Sequence, residues 1–116
     1  MSKQEIKIIT KIIRELSLFL IMHGFKDFSL STKNTKDTTA FIIEIDHPKE
    51  SFLDHMIDKI SREREMEIET YGWELIGDID DKTELEILGL LIDTIDVKKK
   101  ADKTLITLVR NNRYLD

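Results

Sequence analysis

Apolar residues near the start of the chain recur at helical spacing: Ile6, Ile9, Ile13, Leu16 and Leu20, with Ile12 and Phe19 widening the stripe. Ser2 followed by Glu5 has the form of a capping box, and Gly24 supplies a stop just after Met22 and His23. The spacing predicts a helix over about 3–23 that packs Ile9, Ile13, Leu16 and Leu20 against a sheet. Phe28, Leu30 and Thr32 then alternate with Ser29, Ser31 and Lys33, and turn residues fill Asn34 to Asp37. The run from Thr39 to Ile45 is richer in apolar residues and reads as a more central strand. Pro48 stands where a second helix would open, at a position that tolerates a missing N–H, and Phe52, Leu53, Met56, Ile57 and Ile60 give that helix an apolar face.

Beyond Ser61 the pattern dissolves into Arg62-Glu63-Arg64-Glu65, and Gly72 and Gly77 interrupt the stretch that holds Tyr71, Trp73 and Leu75. Order returns at Thr83 and Glu86, a second capping box, followed by Leu85, Leu88, Leu91 and Ile92 at helical spacing. Ile95 and Val97, a polar turn near Ala101 and Asp102, and Leu105 to Val109 predict a closing hairpin. The order α-β-β-α-(irregular)-α-β-β predicts an α+β fold: a two-layer sandwich of a mixed β-sheet with helices on one face. Both hairpins are expected in that one sheet.

The length of 116 residues and the lack of a linker predict a single domain over 1–116. A hydrophobic fraction of 41% beside 35% charged residues supports a packed core and argues against disorder. Cysteine is absent, which removes disulfides and zinc–thiolate sites. Lys7, Lys11, Arg14 and Glu15 interrupt the apolar run from Ile6 to Met22, so neither a signal peptide nor a membrane span is expected, and the cytoplasm is the expected location. A net charge of −5 disfavours nucleic acid as a partner. The run Lys98, Lys99, Lys100 and Lys103 reads either as a patch for an acidic partner or as a solvated hairpin tip.

Histidines and carboxylates gather at Asp46, His47, Asp54, His55 and Asp58. His55 and Asp58 share a helical face, but metal-ligand spacing of the HExxH kind is absent, and an exposed polar face explains the same residues. No metal is expected. His23, beside Gly24, reads as a helix C-terminal residue favoured by the dipole. No G-x-S-x-G elbow or glycine-rich phosphate loop is present. Met66, Tyr71 and Trp73 are candidate partner-binding residues if exposed, and core residues if buried.

Three stretches, taken in order, carry a resemblance. Glu15-Leu-Ser-Leu-Phe-Leu-Ile-Met-His-Gly24 is similar to the N-box helix of the GHKL (histidine kinase-like) ATPases, above all the small anti-sigma-factor serine kinases. Phe41-Ile-Ile-Glu-Ile-Asp46 resembles the strand whose last Asp binds adenine in that family. Leu88 to Val97 with Leu105 to Arg110 resembles its closing helix and hairpin. The resemblance implies a histidine kinase-like fold lacking its first strand and helix. It also implies nucleotide-contact positions at Glu15, Asp46 and Thr104, where Glu15 has the alternative reading of an ordinary surface residue, Asp46 that of a cap on the following helix and Thr104 that of an ordinary strand residue. Departures from the family accompany these matches. Phe19 stands at the place of the magnesium-holding Asn, and its ring offers no oxygen to a hard cation. Pro48 and Glu50 replace glycines after Asp46, and Asp80, Asp81 and Glu84 stand where a second glycine-rich turn would meet phosphates.

The expected function is therefore a non-catalytic regulatory protein that binds a protein partner and carries no cofactor. One alternative is an ATP-binding serine kinase or ATPase of the anti-sigma type, with ATP and magnesium as cofactors. Another is a homodimeric structural domain built on the first helix, whose wide apolar stripe would seek cover.

Overall fold

A computed structural model of the chain describes residues 2–60 and 84–112. In chain order the elements are α1 (Lys3–Met22), β1 (Phe28–Asn34), β2 (Thr38–Ile45), α2 (Glu50–Ile60), α3 (Glu84–Leu91), β3 (Thr94–Lys99) and β4 (Thr104–Asn111). Both predicted hairpins join one sheet of order β1-β2-β4-β3. The positions of Met66, Tyr71 and Trp73, the run from Arg62 to Asp80, and Asp81 and Thr83 lie outside the described residues.

Strand direction departs from the expected mixed sheet: among the described residues every pairing is antiparallel. The reason lies in the connections. Two short hairpin turns fix β1 against β2 and β3 against β4. The chain then returns from α3 so that β4 runs against β2, with Ile45 opposite Thr104 and Thr39 opposite Arg110.

Alternation along the central strands decides which face is covered. Thr39, Phe41, Ile43 and Ile45 of β2 are buried, as are Thr104, Ile106, Leu108 and Arg110 of β4. These form one core with Ile8, Ile12, Leu16, Phe19 and Leu20 of α1, Leu53, Met56 and Ile60 of α2, and Leu88 and Leu91 of α3. The period of two in the strands thus meets the period of 3.6 in the helices on a single face of the sheet. The edge strands β1 and β3 contribute only half-buried residues, Phe28, Leu30, Ile95 and Val97.

Helix α1 forms where its periodicity places it, but its buried face is rotated from the expected one. Leu16 and Leu20 are inside; Ile9 and Ile13 are only partly buried, Ile6 is half exposed, and Ile8 and Ile12 take the central positions. Glu5 and Glu15 also lie on the buried face. Apolar residues occur on most sides of this helix, so the stripe alone does not select a rotation. On the buried face Glu5 meets Arg110 and Phe19 stacks on Phe52, with ring centroids 5.3 Å apart.

The end of α1 is shaped by Gly24, whose φ of +89° is a left-handed conformation that favours glycine. Gly24 N–H donates to the Ile21 carbonyl and Phe25 N–H to the Leu20 carbonyl, the paired bonds of a Schellman motif. That reversal turns Phe25 back onto Phe52, at 4.8 Å between ring centroids.

At the opposite end of the sheet a buried ion pair ties three elements together. Arg110 Nε lies 2.7 Å from Glu5 Oε1, and neither side chain has measurable exposure. Arg110 Nη1 donates to the Leu91 carbonyl at 2.9 Å, which caps the C-terminal end of α3 with a cation where the helix dipole is negative. Ser2 Oγ accepts from Glu5 N–H, so the first half of the predicted capping box is formed, while the Glu5 carboxylate is directed to β4.

Candidate functional site

An open groove of about 560 Å³ lies between the C-terminal end of α1 and the link from β2 into α2. It is lined by His23, Phe25, His47, Pro48, Lys49, Ser51, Phe52 and His55. All three histidines of the chain therefore meet in one place.

Each wall has a local cause. His23 is the C-cap of α1, and its Nδ1 donates to the Phe19 carbonyl at 2.9 Å, as a histidine ending a helix can do. Its ring lies 4.2 Å from that of Phe19 and edge-on to Phe52 at 5.7 Å, centroid to centroid. Phe25 enters through the Schellman reversal. His47 is fixed by both ring nitrogens: Nε2 faces the Ala101 carbonyl at 3.3 Å and Nδ1 faces Thr104 Oγ1 at 3.0 Å. A carbonyl can only accept, so Nε2 carries a proton, and in the neutral ring Nδ1 accepts from the hydroxyl. Helix α2 begins at Glu50 rather than at Pro48, and the Lys49 carbonyl receives the N–H groups of Phe52 and Leu53. Pro48 thus lies outside the helix and shapes the groove's edge. Phe52, on the first turn, supplies its apolar wall.

The residues singled out by the resemblance are placed unevenly. Asp46 and Thr104 sit at the same end of the sheet, because Ile45 pairs with Thr104. Asp46 is exposed and accepts from Lys103 Nζ at 2.8 Å, which replaces the expected role as a cap on α2. Thr104 is fully buried, with its hydroxyl on His47. Glu15 is nearly buried on α1 and pairs with Lys11, one turn earlier, at 2.8 Å. None of the three lines the groove. Phe19 is also buried, within the cluster of His23 and Phe52 rings.

The hydrogen bond and charge of the Lys103 ammonium hold the Asp46 carboxyl below the usual carboxylate range, and Lys103 is raised in return. A lowered carboxyl contributes stability above its ordinary pKa and loses it as pH falls through the depressed value. Both groups are solvent-exposed, so the contribution is that of a surface pair. In Lys103→Ala, the Asp46 titration followed by carboxyl NMR is expected to move upward. An unchanged titration would contradict the assigned pairing.

Sequence reasoning missed the groove because it grouped His47 and His55 with nearby carboxylates and left His23 aside. The signal available was the aromatic residues just beyond a helix stop and just inside the next helix start, Phe25 and Phe52, each close to a histidine in the chain. Among the described residues no group of three or more His, Asp or Glu side chains is placed to hold a metal ion. Nor is any described helix long and apolar enough to cross a membrane. No family model, curated protein or solved structure matches the chain.

Proposed function

We propose that this chain is a non-catalytic regulatory domain on a histidine kinase-like ATPase scaffold, acting by binding a protein partner. The observation that carries the reading is the engagement of the nucleotide-contact positions by the chain itself. Asp46 is held by Lys103, and the Thr104 hydroxyl by His47. Phe19, at the place of the magnesium-holding Asn in the resemblance, is committed to a ring cluster. An adenine amino group and a metal-bridged triphosphate would have to displace these contacts, and a phenyl ring offers no ligand to magnesium. The pairing of β2 with β4 supports the scaffold part of the proposal, since it brings Asp46 and Thr104 to one end of the sheet.

The surface supports the binding part. Leu18, Ile21 and Met22 project from α1 at i, i+3 and i+4, with Ile21 and Met22 more than half exposed. They offer an apolar strip leading into His23 and the groove, on which a partner, a second copy of this chain included, would rest.

Thermal melting tests the non-catalytic reading. A ligand bound only by the folded state at micromolar affinity adds about 4 kcal/mol at millimolar concentration. No appreciable rise in Tm is expected with Mg-ATP. A magnesium-dependent rise abolished by Asp46→Ala would favour the ATP-binding kinase instead.

A further inference from the structure

We propose that the groove between α1 and α2 is a docking site for an acidic segment of a partner protein, one that carries an aromatic side chain among its carboxylates. The inference rests on the protein-binding reading above and gives it a surface and a partner chemistry.

Charge is the first argument. The chain as a whole is acidic at −5, yet among the described residues that line the groove none is acidic, while Lys49 and three histidines are present. Two of the carboxylates that flank lining residues in the chain are already engaged: Asp46 pairs with Lys103 and Glu50 with Lys99. Both lysines come from the β3–β4 hairpin, whose turn also supplies the Ala101 carbonyl to His47. The hairpin tip is thereby docked beside the groove, and Lys100, in the same turn, is exposed. Asp54 and Asp58 are exposed on α2 without lining the groove. A lining whose one formal charge is positive, with three imidazoles beside it as hydrogen-bonding groups, favours carboxylates in a partner over basic groups.

Shape and surface chemistry give the second argument. A small-molecule site encloses most of its ligand, whereas this groove is open along its length. Its volume of about 560 Å³ suits a few side chains of an extended segment. The half-buried rings of Phe25 and Phe52 provide an apolar wall against which an aromatic side chain would stack offset or edge-on. His47 is held rigid by Thr104 and Ala101, so one hydrogen-bonding wall is ordered before a partner arrives.

Phage display of random dodecapeptides against the full chain tests the proposal, with Lys49→Glu/His55→Glu as the counter-target. Both positions are exposed, so the fold should be unchanged, and matched circular dichroism melts confirm it. Enriched peptides should combine two or more carboxylates with an aromatic residue, bind the variant at least ~tenfold more weakly, and lose affinity as salt rises. Failure to enrich, enrichment of basic or neutral peptides, equal binding to the variant, or displacement of the peptides by ATP would each overturn it. Mg-ATP stabilisation is read separately: it would overturn the non-catalytic reading, whereas peptides without acidic bias, in a protein that ignores ATP, would overturn only the assigned partner chemistry.

Discussion

Replacing Arg110 with alanine is expected to remove about 3–5 kcal/mol of folding stability, against a total of roughly 5–15 kcal/mol for a domain of this kind. The size follows from what is left behind. Glu5 has no measurable exposure, and without Arg110 its carboxylate loses the cation 2.7 Å away that offsets its desolvation. The Leu91 carbonyl at the end of α3 loses its donor as well. A paired substitution distinguishes an ion-pair effect from simple loss of packing. Glu5→Leu combined with Arg110→Met should recover most of the deficit, because removing both charges leaves neither one buried alone. The hydrogen bond to Leu91 stays lost in the paired variant, at about 1 kcal/mol. Urea midpoints at constant m-value check the series. A cost below ~1 kcal/mol for Arg110→Ala would mean that the pair is solvated and does not join α1, α3 and β4.

Gly89→Ala is the second large effect, and its direction runs against helix propensity. Alanine in a helix interior is ordinarily favoured over glycine by about 1 kcal/mol. At position 89, however, an added Cβ would stand 2.7 Å from the Lys59 carbonyl oxygen, 3.7 Å from its carbon and 3.8 Å from the Ile60 Cα. These are backbone atoms at the end of α2, so no side chain can swing aside to make room. α3 must back away from α2, opening the core around Met56, Ile60 and Leu88. Overpacking of this kind costs about 1–3 kcal/mol, enough to outweigh the propensity gain. A lower Tm is therefore expected, with helix content in far-UV circular dichroism preserved. A variant as stable as the parent or more so would show that the two helices lie farther apart.

The contrast between these residues shows which parts of the fold could be read along the chain. Local patterns carried far: the extent of α1, its stop at Gly24, both hairpins and the short α3 follow from spacing, turn chemistry and a single left-handed residue. Their union in one sheet follows as well. What failed was information held between distant residues. The rotation of α1 was ambiguous because apolar side chains occupy most of its circumference, and Glu5 was read as a capping residue because its partner lies 105 positions away. An arginine at the end of an apolar strand offers no local sign that it will be buried. The strand directions depend on how the chain returns from α3, which no periodicity records.

The same division holds at the site. Asp46 and Thr104 were singled out through a resemblance to family motifs, whereas the side chains that engage them, Lys103 and His47, belong to the opposing segment in each case. Lys103 had been read as part of a basic run and His47 as part of a histidine–carboxylate cluster. Folding reassigns both, by pairing the β3–β4 turn with the β2–α2 link. The groove likewise joins two chain reversals, the end of α1 and the β2–α2 link, and its histidines, at 23, 47 and 55, have no common spacing.

The central claim of the proposed function is that the positions resembling nucleotide contacts serve the protein's own structure, leaving no ATP site. Amide NMR of the full chain titrated with Mg-ATP addresses it at residue level. At millimolar nucleotide the resonances of Asp46, His47, Lys103 and Thr104 are expected to stay in place, with Lys103 still paired to Asp46 and His47 to Thr104. Saturable shifts of those four amides that require magnesium and vanish in Asp46→Ala would contradict the account and assign the chain an ATP-binding function.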